Sequence, residues 1–370
     1  MAALPPVRVI ANPVFLNYTG DIWEINIAVI RIFFEKGPLM KPELLLLKRS
    51  EIASLLTLPD TIDVVEQAFR LHAEGKTLVP GLLHVDAVGG EFHIKVGGLT
   101  LEKTYFGLKA NGGFFHNRAL YGLPNIQGVI LLFDAETGTP LAVMDSIEIT
   151  ILRTGAATAV AAKYLARKDT TQVTICGCGT QGRIQLRSLY QVLPTLERVI
   201  AYDLDASLAR RFASEMSEQL GMNVETSTDL ASAAAHSQCI VTCTPSRKAF
   251  LLKQYVMPGA FVAAIGADSP EKQEIDPALL VGNKVVVDLL EQCRQVGELQ
   301  HAISAGLLTE ADVHAELGEV ISGMKSGRTS PDEIIVYDAT GTALQDAAAA
   351  VAVYQRALQR GVGSRVSLLE

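Results

Sequence analysis

The chain has 370 residues, 49 % hydrophobic and 19 % charged, with a net charge of −8 and a pI near 5.5. That length exceeds what one hydrophobic core usually supports, so two lobes are expected. The acidic balance argues against a nucleic acid or an anionic membrane surface as partner, since both attract basic proteins.

The opening Met1-Ala-Ala-Leu-Pro-Pro-Val-Arg8 lacks the charged leader, apolar stretch and cleavage site of a secretory signal. No apolar run reaches the roughly 18 residues that span a bilayer. Five cysteines, at 176, 178, 239, 243 and 293, show neither paired CxxC spacing nor nearby histidines. They read as reduced, buried thiols of a cytoplasmic protein, with no disulfide framework and no metal site.

The first 50 residues carry no sustained periodicity; Ile10 to Lys36 reads only as short strands or an added extension. Asp60 is then placed to cap a helix with Ile62, Val65, Phe69 and His72 on one stripe and Gly75 past its end. From Leu78 to Met144 short alternating segments are broken by glycine. Val129–Phe133 and Leu141–Met144 flank Ala135-Glu-Thr-Gly138 as a hairpin, so this lobe is expected to be a mainly antiparallel sheet with a helix. An alanine-rich helix between Ile151 and Ala166 is expected to join the lobes.

From Gln172 onward, apolar runs at 173–176, 199–202, 239–242, 261–265 and 285–287 alternate with amphipathic stretches. That alternation predicts a parallel sheet covered by helices on both faces. A last helix, about Thr342 to Leu358, is placed to return to the first lobe. The expected fold class is α/β, a doubly wound parallel Rossmann sheet plus an α+β lobe. The expected division is residues 1–154 with 338–370 against residues 155–337.

The strand Gln172-Val-Thr-Ile-Cys176 runs into Gly177-Cys-Gly179-Thr-Gln-Gly182, a GxGxxG pattern followed by a helix. The first glycine permits the tight turn, the second lets backbone approach a pyrophosphate, and the third lets helix pack on strand. The helix N-terminus adds unpaired N–H groups. The next strand ends at Asp203, twenty-one positions after Gly182 (203 minus 182), where a carboxylate accepts ribose hydroxyls. With no arginine immediately after Asp203, NAD is favoured over NADP.

Several ordered motifs then carry a resemblance: Gly107-Leu-Lys109, Gly122-Leu-Pro-Asn-Ile-Gln-Gly128, Leu131-Leu-Phe-Asp-Ala-Glu-Thr-Gly138, Leu152-Arg-Thr-Gly-Ala-Ala-Thr158, the glycine loop, Glu316-Leu-Gly-Glu-Val-Ile321 and Asp338-Ala-Thr-Gly341. Over roughly Leu44 to Leu358 the chain resembles the ornithine cyclodeaminase and mu-crystallin family. The resemblance implies a homodimer joined through the sheets of its N-terminal lobes, with the first lobe binding substrate and the active site between it and the Rossmann domain.

Asp268, just past an expected parallel strand, lies where ligands bind in such sheets. A partly desolvated carboxylate with a raised pKa there exchanges a proton with an amine or imine nitrogen, and the resemblance implies this catalytic role. It also implies Lys109 as an active-site lysine and Arg153 as a partner for a substrate carboxylate or cofactor phosphate. Where the family usually places an arginine shortly after Pro80, this chain has Gly81-Leu82-Leu83. Lys95 is the candidate replacement, since alternation sets it on one strand face with His93 and Glu91; a solvated strand face is the plain alternative. Asn125 is placed as a further substrate contact. Thr180, Gln181, Thr244, Ala264, Ile265, Lys272 and Ala339 are the remaining implied cofactor contacts.

These expectations converge on an NAD(P)-dependent oxidoreductase that moves hydride to or from the α-carbon of a small amino or imino acid. Two alternatives stay open: a cyclodeaminase that recycles its NAD within one turnover, and a non-catalytic nucleotide-binding protein of the mu-crystallin kind.

Overall fold

A computed structural model of the protein describes residues 43–368. The expectation for Ile10 to Lys36 therefore falls outside the described residues, as does the start of the expected first lobe.

The first sheet contains β1 (Glu43–Leu47), β2 (Thr77–Ala87), β3 (Gly90–Thr100), β4 (Thr104–Gly113), β5 (Ile126–Asp134) and β6 (Pro140–Asp145). Neighbours run β1-β6-β5-β4-β3-β2, antiparallel throughout except for the parallel β1–β6 pair. The hairpin expected at 135–138 joins β5 to β6, with Gly138 at φ +71° where an L side chain is strained.

The second sheet is built from β7 (Gln172–Cys176), β8 (Arg198–Tyr202), β9 (Asn223–Thr226) and β10 (Cys239–Thr242), followed, after β11 (Arg247–Leu251), by β12 (Phe261–Ala264). After β13 (Gln273–Ile275), it is completed by β14 (Lys284–Val287), β15 (Ala315–Glu316) and β16 (Ile335–Asp338). Its order is β15-β14-β16-β12-β10-β7-β8-β9, and every pair is parallel. β11 and β13 pair apart from it. The chain leaves β7 toward β8 and β9 on one side and returns to β10 on the other. That reversal opens a crevice beyond the carboxyl ends of β7 and β10, the usual ligand position in such sheets. β17 (Ser364–Ser367) pairs antiparallel with β1.

The helix over Leu58–Ala73 starts two positions before the expected cap, Asp60. Thr57 is the N-cap, and Asp60 reaches back to it as the acid of a capping box. Asp60 also holds Arg356 of the last helix, Ala343–Arg360.

The alanine-rich helix is longer than its pattern suggested, Ile147–Leu165. It packs on the Leu58–Ala73 helix and on the Thr180–Val192 helix that follows the glycine loop. The expected boundary at 154/155 thus falls inside one continuous helix. A Cβ on its Gly155 would come within 2.4 Å of Ser188 Oγ, so the glycine sets how closely those two helices approach.

The last helix lies across the first sheet in the same way. A Cβ added to Gly97 would meet Ala343 Cβ at 3.1 Å, and one added to Gly107 would meet Ala347 Cβ at 3.1 Å. Small residues facing small residues bring helix backbone close to strand backbone, and with it the helix's Asp346.

Candidate active site

The carboxyl ends of β7, β10, β12 and β16 face the inner face of β3 and β4 across one cleft, whose lining includes Lys95, Lys109, Arg153 and Asp268. Five of the expected cofactor contacts, Gln181, Thr244, Ile265, Lys272 and Ala339, line it too.

The glycine loop has the geometry a dinucleotide needs. Gly177 sits at φ +104° with its N–H donated to Tyr202 O at 2.9 Å. A Cβ on Gly182 would lie 2.1 Å from Gly177 O, whereas one on Gly179 would meet nothing within 4 Å. Gly182 therefore serves the fold, and Gly179 leaves open space where a pyrophosphate approaches the helix that begins at Thr180. Asp203 braces this loop, accepting Cys178 N–H at 2.8 Å and Asp205 N–H at 2.9 Å.

Asp268 keeps 36 % of its side chain exposed and pairs with Lys272 Nζ at 2.5 Å. The expectation of a raised pKa is corrected here: burial does push the carboxyl up, but the charges of Lys272, Lys95 and His93 outweigh it and hold it below the ordinary range. Lys272 lines the same cleft, with its ammonium paired to Asp268.

Lys95 is buried and donates to the carbonyls of Thr340 at 2.8 Å and Gly341 at 2.6 Å. Burial lowers its pKa, as does Arg153, while Asp268 and Asp346 oppose that shift. Antiparallel register places Lys95 directly beside Lys109. Lys109 is held by Asp346 at 2.7 Å, and Arg153 by the same carboxylate at 3.1 Å. Burial, Arg153 and Lys95 bring Lys109 down to about 7, against the pull of Asp346. Lys95, Lys109 and Asp268 all line the cleft, and the charges of Asp268 and Lys95 each shift the other's titration. Arg153 is not a solvent-facing residue: it is 6 % exposed and donates to Gln345 Oε1 at 3.1 Å.

Two expected contacts are corrected. Asn125 does not line the cleft, because the loop before β5 folds onto itself: its Oδ1 accepts Arg118 N–H at 3.0 Å and its carbonyl accepts Phe114 N–H at 2.7 Å. Asn111 lines the cleft instead, held by Ser146 Oγ at 2.6 Å. Ala264 is fully buried, and its carbonyl accepts Ala339 N–H at 3.0 Å, so it joins β12 to the turn after β16.

Among the buried acids absent from the sequence motifs, three shape the cleft and its loops. Asp346 sat unnoticed in an alanine-rich helix. Glu274 accepts from Thr242 Oγ1, from both N–H and Oγ1 of Thr244, and from Gly266 N–H, all within 2.6–2.8 Å, tying together the loops after β10 and β12. Asp288 accepts Gly341 N–H at 2.7 Å and Thr340 Oγ1 at 3.0 Å, fixing the carbonyls that hold Lys95. For Asp288 a signal was present, an acid closing the apolar run Val285-Val-Val-Asp288. The cysteines are unpaired and all but Cys243 are buried.

Comparisons with known proteins agree with this geometry. Alanine dehydrogenase of Archaeoglobus fulgidus is 41 % identical over 324 residues, covering 88 % of this chain and 98 % of the relative. A solved archaeal alanine dehydrogenase dimer with bound NAD superposes with a TM-score of 0.84 at 40 % identity, covering 88 % of this chain and 100 % of that one. The Δ1-pyrroline-2-carboxylate reductase of Thermococcus litoralis, solved with NADH and L-proline, gives a TM-score of 0.82 at 32 % identity, covering 87 % and 100 %. The sequence model of the ornithine cyclodeaminase/mu-crystallin family matches residues 43–361, and the chain belongs to that family.

Proposed function

We propose that the protein is an NAD-dependent oxidoreductase acting at the α-carbon of a small amino or imino acid, with net redox turnover. The observation that carries this reading is that Asp268 and Lys95 line one cleft, beside a glycine loop with room for a pyrophosphate at Gly179. NAD-dependent dehydrogenases and reductases among the relatives support it.

Gly177, Gly179, Thr180 and Gln181 would hold the pyrophosphate and Asp203 the ribose, with Thr244, Ile265 and Ala339 along the rest of the cofactor. When bound, NAD supplies hydride transfer. Asp268, kept ionised by Lys272, orients the substrate nitrogen by accepting its N–H bonds. Lys95, whose pKa burial has lowered, gives a proton to that nitrogen in reduction and receives it in oxidation. Arg153 and Asn111 flank the substrate carboxylate. Leu82, paired in register with Lys95, stands where the family usually has an arginine, so the carboxylate rests on fewer charges.

We further place the protein in the cytoplasm as a homodimer. Among the described residues no helix is long and apolar enough to cross a membrane. The outer face of the first sheet exposes Leu83, Val85, Phe92 and Val129, an apolar surface suited to a second copy, and the archaeal relative is a dimer.

The test is oxidation of NADH and NADPH with pyruvate plus ammonia, oxaloacetate plus ammonia, and cyclic imino acids. NADH consumption with at least one substrate is expected. Ammonia released from ornithine without accumulated NADH would instead make the protein a cyclodeaminase.

A further inference from the structure

The β2–β3 hairpin carries a cluster that the proposed reaction does not use. Antiparallel register sets His84 opposite His93 and Asp86 opposite Glu91. Because side chains alternate along a strand, all four point to one face. His84 Nε2 lies 3.2 Å from Asp86 Oδ1 and 3.6 Å from Glu91 Oε2, and His93 Nε2 lies 3.3 Å from Glu91 Oε1. The two imidazole rings meet edge to face with centroids 4.7 Å apart.

Donor atoms of His84, Glu91 and His93 all fall within 4.8 Å of one another. Four donors around a zinc ion with bonds near 2.0–2.1 Å stand about 3.4 Å apart, close to the separations found here. His93 Nε2 is buried and makes no hydrogen bond, although a carboxylate oxygen lies 3.3 Å away. A nitrogen aimed into a cluster without a hydrogen-bonding partner is what a missing ligand leaves behind.

We propose that His84, His93 and Glu91 form a binding site for a divalent transition metal of the zinc class, with Asp86 or water in the fourth position. Two imidazoles and a carboxylate suit zinc better than magnesium or calcium, which prefer all-oxygen sets. Glu91 and His93 also line the cleft that holds Asp268, so the ion sits at its mouth. The metal-free expectation rested on the cysteines; the histidine pair becomes visible only in hairpin register.

The experiment is calorimetric titration of the chelator-treated full chain with ZnCl2, repeated with His84→Ala and His93→Gln. One ion per chain is expected, with a rise in Tm on saturation. Each substitution should weaken binding by at least about tenfold while leaving the metal-free Tm within a few degrees. Calorimetry that detects no binding overturns the site. Binding of equal strength in both variants also overturns it, because the ion would then be held elsewhere, as by a cysteine thiolate. Should either variant fail to fold, cobalt substitution of the unaltered chain decides: visible bands of a nitrogen–oxygen site support the proposal, and a thiolate charge-transfer band refutes it.

Discussion

Lys109 Nζ lies 2.7 Å from the carboxylate of Asp346, with both side chains 3 % exposed, and that contact ties the fourth strand to the last helix. Arg153 shares the same carboxylate at 3.1 Å. One acid thus balances two buried cations on the cleft wall, which makes it a structural requirement of the site.

Replacing Asp346 with Asn leaves both cations without their counter-ion. The expected loss is about 3–5 kcal/mol of folding stability, the usual cost of breaking a buried pair from one side. Urea unfolding checks it. The double variant Lys109→Met/Asp346→Leu should recover part of the loss, since it removes the stranded ammonium as well.

Asp268→Asn keeps the shape and removes the charge that Lys272, Lys95 and His93 surround. Turnover should fall about 10²-fold through lost orientation of the substrate nitrogen, while NADH binding, followed by its fluorescence, stays within about twofold of the original. Unchanged turnover on every active substrate would remove Asp268 from the chemistry.

The two glycines separate cofactor binding from folding. Gly179→Val projects into open space, so it should leave Tm unchanged and abolish NADH binding. Gly182→Ala drives a methyl group into Gly177 O, so it should lower Tm even without cofactor. Thermal melts with and without NADH distinguish them.

The depressed pKa of Lys109, about 7 against an ordinary 10.5, sets a pH dependence. Between those values the unfolded chain holds the proton that the folded chain sheds, so unfolding binds protons and stability rises with pH. Relative to Lys109→Met, the protein should gain stability from about pH 7 to about pH 10, with a flat difference below pH 6. Chemical denaturation across that range measures it, and a difference curve without slope would show that the ammonium titrates normally.

Much of the fold was legible because its signals are local. The run into Gly177 and Gly182, the alternation in β3 and the hairpin at Gly138 each encode their geometry within a few residues. Glu91, His93 and Lys95 share a face for the same reason. What stayed hidden depends on contacts distant in sequence. Asp346 looks like one polar residue among alanines until Gly107 lets its helix settle beside Lys109. The ionised state of Asp268 was misread although its main partner, Lys272, lies only four residues on; Lys95 and His93 add their charge from another sheet. Asn125 was misplaced because the self-contacts of a loop leave no periodic trace.

The position of Asp346 also bears on how the protein is made. Lys109 and Arg153 leave the ribosome more than 190 residues before their shared carboxylate, by the numbering alone (346 minus 153). The helix that carries this carboxylate and covers the first sheet spans residues 343–360, and the strand that pairs with β1 follows at 364–367. During synthesis the parallel sheet can close on its own, while the cleft wall holds two uncompensated cations and an uncovered sheet face. A nascent chain from which residues 343 onward have not yet emerged should therefore show a folded parallel sheet beside an unfinished cleft wall.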